Sequence, residues 1–571
     1  MNQTRSFLIL ALCFVAYLLF NQWMSDYHQP PAAPAPAATV AAAGSAGVPD
    51  ASAPADTTTV DDATAATTAG HGKLITVTTD VLRLDIDTRG GTVVGADLLK
   101  YPQRLDSDRS VRLLDNTSTH FYEAQSGLIG VDGNPAPNHK SPFRAEKDAY
   151  TLAPGQDRVD VRLEWTDPSG VTVTKVYTLK RGSYDIGVEQ QISNHGKATW
   201  HGQAYRQLER IEPPEGDYGN FLQRYSDQSR YSFFGAAWYG PDKKFNKIKF
   251  DDFKDHPLAS DGKRGREVTG GWLAMEQAYF VGAWLPPENE TNTFSTLALD
   301  KGGTPHYLIR GIGPVLNVAP GASNSSTARL YLGPKVPDEL KKVSPSFDLA
   351  LNYGAMTVVA RPLHWILSQL HGITGNWGWA IILLVLLING ACYKLYAMQY
   401  RSSAHMRRLK PRMDALKERY GDDKQKLQQA TMELYKKEKV NPAAGCLPLL
   451  ITIPIFFGLY ELLRESVELR QAPFIGWIQD LSAADPYFVL PVIYALVMLV
   501  QSLTMPMTPG MDGTQQKMMR FMPVAMAVIF AFFPSGLVLY YSVSALCRIA
   551  IQWWVYHQVD KQEARKKEVK A

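Results

Sequence analysis

The sequence predicts a multi-domain membrane protein: an all-α polytopic bundle of six transmembrane helices, an all-β sandwich domain outside the membrane and a cytoplasmic helical hairpin. Three observations predict it. Apolar residues crowd the first two dozen positions and again lie beyond about residue 375, although mean hydropathy is slightly polar. Between them the pattern changes to period two, broken by Gly, Pro and Asn, as antiparallel strands require. Basic residues gather in one long loop and the C-terminal tail, which is how membrane proteins mark their cytoplasmic side.

Taken in order, residues 1–28 carry Arg5, an apolar run over 7–20, and Trp23. The run is followed by bulky Asn21-Gln22-Trp23-Met24, so no small-x-small cleavage site follows it directly. Leu10-Ala11-Leu12-Cys13 resembles a lipoprotein box, but Leu12 stands where a small residue is needed. The reading is an uncleaved signal anchor with its N-terminus in the cytoplasm. Residues 29–73 are Ala, Pro, Thr and Gly for the most part, too poor in apolar surface to repay the entropy of ordering. They are expected to be a flexible tether.

Residues 74–340 are expected to fold as the sandwich. Alternation from Val77 to Asp87 stops at Gly90-Gly91. Val159-Asp160-Val161-Arg162-Leu163-Glu164-Trp165, the turn Asp167-Pro168-Ser169-Gly170 and Val171-Thr172-Val173-Thr174-Lys175-Val176-Tyr177 read as a hairpin. Many short strands with such turns argue for a large antiparallel β-sandwich, and its place beyond an anchor puts it in the periplasm. In 341–374, Trp365, Ile366, Leu370 and Ile373 interleave with His364, Gln369 and His371, too short and polar to span; a helix lying in the interface fits.

The remaining spans are expected at 377–396, 447–463, 487–505, 521–533 and 537–556, within a core of residues 375–557. Pro448 and Pro454 are tolerable because neighbouring helices satisfy the freed backbone groups. About a dozen Lys and Arg lie between Gln399 and Asn441, and the tail 558–571 adds Lys561, Arg565, Lys566, Lys567 and Lys570. The short loop 473–485 has none, so the basic loop and both termini belong in the cytoplasm. Within 399–441, Met406, Leu409, Met413 and Leu416, then Leu427, Ala430 and Leu434, repeat at helical spacing on either side of Gly421-Asp422-Asp423. Two amphipathic helices form a hairpin, either a lipid-facing loop or a docking arm for a ribosome or nascent chain.

The net charge of +4 does not by itself mark a nucleic-acid binder, and no sequence-specific nucleic-acid contact is expected. Cys13, Cys392, Cys446 and Cys547 all lie in or beside apolar segments without metal-ligand spacing, so neither a disulfide framework nor a thiolate zinc site is expected. GxxxxGKS, HExxH and GxSxG motifs are missing, and neither catalytic residues nor a cofactor or metal is expected. A transporter would bring internal repeats and mid-membrane ionisable groups, and neither is clear. A tethered glycosidase would need two opposed carboxylates, which one sequence cannot place.

Gly375-Asn376-Trp377-Gly378, Gly421-Asp422-Asp423-Lys424-Gln425 and Lys439-Val440-Asn441-Pro442 occur in order. Val467-Glu468-Leu469-Arg470-Gln471-Ala472-Pro473-Phe474 and Phe533-Pro534-Ser535-Gly536-Leu537 follow. Together these resemble the YidC membrane protein insertases of bacterial inner membranes, densely from about Gly375 to Gln552. The resemblance implies five core spans around a hydrophilic groove open to cytoplasm and lipid, working without nucleotide. It implies as partners nascent membrane proteins, the ribosome through the hairpin and basic tail, the Sec translocon and the phospholipid bilayer.

The family's groove carries a positive residue in the first core span, where this sequence has Asn389. Spacing offers a replacement. Asn389, Tyr393, Tyr396 and Tyr400 share one helix face, as do Tyr541, Ser544, Arg548 and Gln552 in the last span, with Tyr540 adjacent. An arginine at mid-bilayer costs about 2.5–3.5 kcal/mol on insertion scales, so Arg548 should face water or a partner. Lys394 is the rival cation; five residues beyond Asn389 it points roughly 140° away at about 100° per residue, and snorkelling explains it simply. Met498, Met505, Met518, Met519, Met522 and Met526 read as core packing or as an adaptable client surface.

Overall fold

The computed structural model describes residues 48–49, 72–105, 107–213, 232–241, 244–255, 257–258, 265–351, 353–421, 423–438, 447–504, 518, 521–522, 525 and 527–568. The expected anchor, most of the tether, the 439–442 motif, Cys13 and Cys446, Met505, Met519 and Met526, and the end of the tail lie outside these residues.

Two large sheets face each other. One runs, edge to edge, Arg266–Thr269, Thr291–Lys301, Thr304–Val318, Trp200–Ile211, Tyr122–Gly130, Thr92–Pro102, Leu82–Asp87, Leu74–Thr78 and Ala149–Thr151. Strand Ser110–Leu114 pairs with Thr92–Pro102 to one side of this path. The other runs Lys244–Lys249, Gly235–Gly240, Trp272–Glu276, Phe280–Leu285, Ser323–Pro334, Asp185–Asn194, Val171–Lys180, Arg158–Thr166 and Arg144–Ala145. A short helix, α1 (Asp252–Asp255), packs on Thr291–Lys301. The hairpin expected around Asp167–Gly170 is present, with Thr166 opposite Thr172 and Gly170 at φ 94°. Alternation from Val77 to Asp87, read as one run, is instead two paired strands: Thr79 donates to the Leu82 carbonyl at 2.8 Å and turns the chain back. Period two continues through so tight a turn, which hid it in the sequence.

Charged side chains clamp the sheets together. Arg206, 2% exposed, donates to Glu290 at 3.0 Å and crosses to Ser326 Oγ at 2.7 Å on the facing sheet. Lys175 crosses the other way, to the Gly90 and Ser126 carbonyls at 2.6 and 2.9 Å. Burial pushes its ammonium down to about 7.

The C-terminal region is helical: α2 (Pro337–Val343), α3 (Thr357–Thr374), α4 (Trp377–Ala391), α5 (Tyr393–Tyr420), α6 (Lys424–Lys437), α7 (Leu447–Glu465), α8 (Val489–Thr504) and α9 (Ser535–Glu568). Helix α9 packs against α4, α5 and α8, and α3 packs against α4 and α7. Among the described residues no single helix is long and apolar enough to cross a membrane. The bent pair Trp377–Ala391 and Tyr393–Leu409 passes that test together, at 61°. The expected straight span to Tyr396 therefore breaks at Cys392, and its second half runs on unbroken into the hairpin arm. Leu409 and Met413 of that arm bury against Tyr435 of α6, and Arg412 pairs with Glu438 at 2.5 Å. Val358, Trp365 and Ile373 of α3 are exposed, while Ala360, Leu363 and Leu367 face the other helices.

Apolar packing runs unbroken from the sandwich into the helices through Phe347, which meets Trp272 and Tyr331 at 5.2 Å. A buried ion pair, Lys335 to Glu465 at 2.9 Å, and two bonds from Arg470 to the Pro102 and Gln103 carbonyls fasten the seam.

Candidate functional site

The short motifs that stand out in the sequence build the scaffold. Asn376 caps α4, accepting from Gly378 N at 2.9 Å and Trp379 N at 3.2 Å, while its amide donates to the Pro473 carbonyl at 3.0 Å. Gly375 closes α3 at φ 64°. A Cβ on Gly378 would meet the Phe474 ring at 2.0 Å, so only glycine lets loop and helix touch. At the far turn, Ser535 donates from its amide to the Ala483 carbonyl at 2.7 Å and from its hydroxyl to the Asp480 carbonyl at 2.8 Å. Gly536 N reaches the Leu481 carbonyl at 2.9 Å. These contacts fix where α4 and α9 begin.

The two helices then meet through polar groups. Asn389, 3% exposed, donates to the Val385 carbonyl at 2.9 Å and to Ser544 Oγ of α9 at 3.3 Å. Gln552 donates to the Thr504 carbonyl of α8 at 3.2 Å. Tyr541 sits under an aromatic roof, with ring centroids 5.1 Å from Phe456, 5.2 Å from Phe530 and 5.0 Å from Tyr540. Arg548 lies one turn beyond Ser544, partly buried, in electrostatic reach of Tyr396, Tyr400, Tyr494, Tyr540 and Tyr541. It has no ion-pair partner among the described residues.

Among the described residues, Asn389 Oδ1, Tyr541 Oη and Arg548 Nε are buried here without a hydrogen-bond partner, while Gln501 and Gln552 lie within reach of the Tyr400 and Tyr556 hydroxyls. Interiors rarely leave such atoms unpaired, and a cluster on one face marks a place built to meet water or a polar guest.

Of the residues singled out from spacing, Asn389, Tyr540, Tyr541, Ser544, Arg548 and Gln552 come together along α9. Tyr393 is partly buried lower down, beside Tyr396, Tyr400, Val555 and Val559, because the bend at Cys392 splits the stripe. Lys394 is exposed on the outside. Gln501, Tyr494 and Tyr556 were missed; Gln501 had a signal, as an amide within an otherwise apolar helix. Met498 packs against the core, whereas Met518 and Met522 are exposed.

A β-sandwich joined to apolar helices that share a buried polar face defines an integral membrane protein with a soluble domain. Residues 74–366 match the YidC periplasmic domain and residues 369–563 the 60Kd inner membrane protein family. A membrane protein insertase YidC of Xanthomonas campestris is 44% identical, with 98% of each chain covered. One of Thioalkalivibrio sulfidiphilus is 42% identical, over 98% of this chain and 99% of its own. An active YidC insertase crystal structure with the first transmembrane domain resolved is similar at TM-score 0.36 and 20% identity, covering 84% of this chain and 92% of that one. The chain belongs to the YidC family of membrane protein insertases, an inner-membrane family that is not one of enzymes, and its sandwich is the periplasmic domain.

Proposed function

We propose that the chain inserts other proteins' hydrophobic segments into the inner membrane through the polar face shared by α4, α8 and α9, with Arg548 supplying the positive charge that Asn389 does not. The cluster of unpartnered buried polar atoms around Arg548 carries this reading. A client's short polar flank enters this wetted face, which lowers its desolvation cost, and an acidic flank gains attraction to the guanidinium. The client's apolar helix then leaves along the exposed apolar sides of α8 and α9, driven by burial in lipid. No nucleotide hydrolysis is involved. The aromatic roof over Tyr541 closes the face toward the periplasm, so the polar flank has one way in.

The topology that goes with this is six spans with both termini cytoplasmic, the bent pair α4–α5 acting as one of them. Helix α3 lies in the outer interface with Val358, Trp365 and Ile373 in lipid. The hairpin α5–α6 and the basic tail face the cytoplasm and receive the ribosome, and the chain works alone or with the Sec translocon.

Photocrosslinkers at Asn389, Tyr541 and Arg548, presented with ribosomes stalled on a single-span client, test the path. Crosslinks from all three, missing with a soluble nascent chain, are expected. Silence at all three with the ribosome engaged would move the path elsewhere.

A further inference from the structure

A cleft of about 1100 Å³ opens where the sandwich meets Arg470 of the 467–474 loop, and none of its lining residues belongs to the polar helix face. It is lined by six arginines and three aspartates. The aspartates Asp97 and Asp115, with Asp85 behind them, are taken up by Arg112 at 3.1–3.2 Å. Arg470 is held to the Pro102 and Gln103 carbonyls. Arg83, Arg104 and Arg109 stand exposed at the mouth.

The floor differs. Arg210 is 6% exposed, its Nη1 has no hydrogen-bond partner, and it forms no ion pair among the described residues. Its guanidinium lies over the Tyr122 ring at 4.8 Å and the Phe234 ring at 5.5 Å. Elsewhere in the sandwich a buried guanidinium such as Arg206 has its carboxylate. A buried, unpaired cation is costly, and folds keep one where a ligand completes it. One wall is strand Ser110–Leu114, whose ladder pairs only with Thr92–Pro102; its other side is closed beyond the strand, where Asp115 pairs with Tyr122, and the rest of that edge leaves backbone donors and acceptors for an added strand.

We propose that this cleft binds an extended acidic polypeptide segment, laid along Ser110–Leu114 with a carboxylate seated on Arg210 and further acidic groups met by the arginines at the mouth. The aromatic pair beside Arg210 accepts the apolar stem of the same side chain. The cleft is far larger than an inorganic anion needs, and the open strand edge favours a peptide over a lipid headgroup. This proposal is independent of the insertion path described above.

The test uses the full chain in uncharged-lipid nanodiscs and a fluorescent peptide of alternating glutamate and serine, against its glutamine counterpart. The acidic peptide should bind and the glutamine peptide should not, with affinity falling as salt rises. Arg210→Met should weaken binding by about tenfold or more, as expected when one side of a buried charge pair is removed, without lowering the thermal midpoint. If Arg210→Met does lower the midpoint, the exposed pair Arg104→Glu and Arg109→Glu decides: weaker binding supports the proposal and unchanged binding overturns it. Undiminished binding by a stable Arg210→Met protein also overturns it. So does full displacement of the peptide by inorganic phosphate at matched ionic strength, or by phosphatidylglycerol in the disc, which would reassign the cleft to a phosphate group, free or lipid-borne.

Discussion

The sandwich and the helical region both bury polar groups, and they treat them in opposite ways. In the sandwich, Glu209 is fully enclosed, yet it accepts from His306 at 2.7 Å and Gln125 at 3.1 Å and pairs with Lys301. Burial alone would raise its carboxyl, but the bond from His306 and the Lys301 charge hold it down to about 2. In the helices, Asn389, Tyr541 and Arg548 lie along one seam, each with a buried polar atom that has no partner among the described residues. Completed networks lock two sheets into one arrangement. Incomplete ones keep a place for something mobile and polar. The sandwich also leaves buried polar atoms without partners among the described residues, at Thr92, Tyr184, Gln190, Arg210, Ser232 and Trp272, but they are spread over several strands rather than along one seam.

The comparison can be broken first at Arg548. Arg548→Ala should reduce insertion of an acidic-flanked client by about tenfold or more, through loss of a desolvated charge contact, and Asn389→Arg should restore much of it in the same chain. Insertion and growth equal to the parent would remove Arg548 from the mechanism. On the sandwich side, Glu209→Ala removes the shared acceptor of His306, Gln125 and the partly exposed Lys301. It should destabilise the domain by about 1–3 kcal/mol, read from the fluorescence of buried Trp200, Trp238, Trp272 and Trp284 during denaturation. Insertion by the folded fraction should be unchanged; a loss there would mean that the two regions share one network.

Gly378→Ala forces α4 away from Phe474 and should destabilise the seam by about 1–3 kcal/mol, measured as a lower thermal midpoint. Acid sharpens the contrast. Glu209 has a folded pKa below its ordinary 4.5, so its contribution is complete above that value and is lost as pH falls toward about 2. Lys175 works the other way: held down to about 7 from 10.5, it binds fewer protons folded than unfolded, so stability should rise between those values. A Lys175→Met chain whose alkaline rise is unchanged would assign that rise to another group. The smallest effect is Lys394→Gln, which should leave insertion within about twofold, since an exposed snorkelling lysine touches no client.

Much of this was legible in the residues. Period two gave the sandwich and its Asp167–Gly170 hairpin, because a strand's side chains must alternate wherever one face is buried. Spacing on α9 placed Tyr541, Ser544, Arg548 and Gln552 on one face, because that helix is unbroken from Ser535 to Glu568. The same arithmetic failed on the first core span. Nothing in Ala391-Cys392-Tyr393 announces a 61° bend, which no proline makes and which packing on α9 accommodates. Gln501 was overlooked because its partners lie on helices distant in sequence.

The sequence by itself determined the division into sandwich and helices, the chemistry of the motifs and the cation on the last helix, since these follow from periodicity, composition and charge along one chain. Only the tertiary structure decided which polar groups are paired. Glu209 finds its partners, whereas among the described residues Arg210 one residue later and Arg548 form no ion pair, and that depends on distances across sheets and between helices that local sequence does not encode.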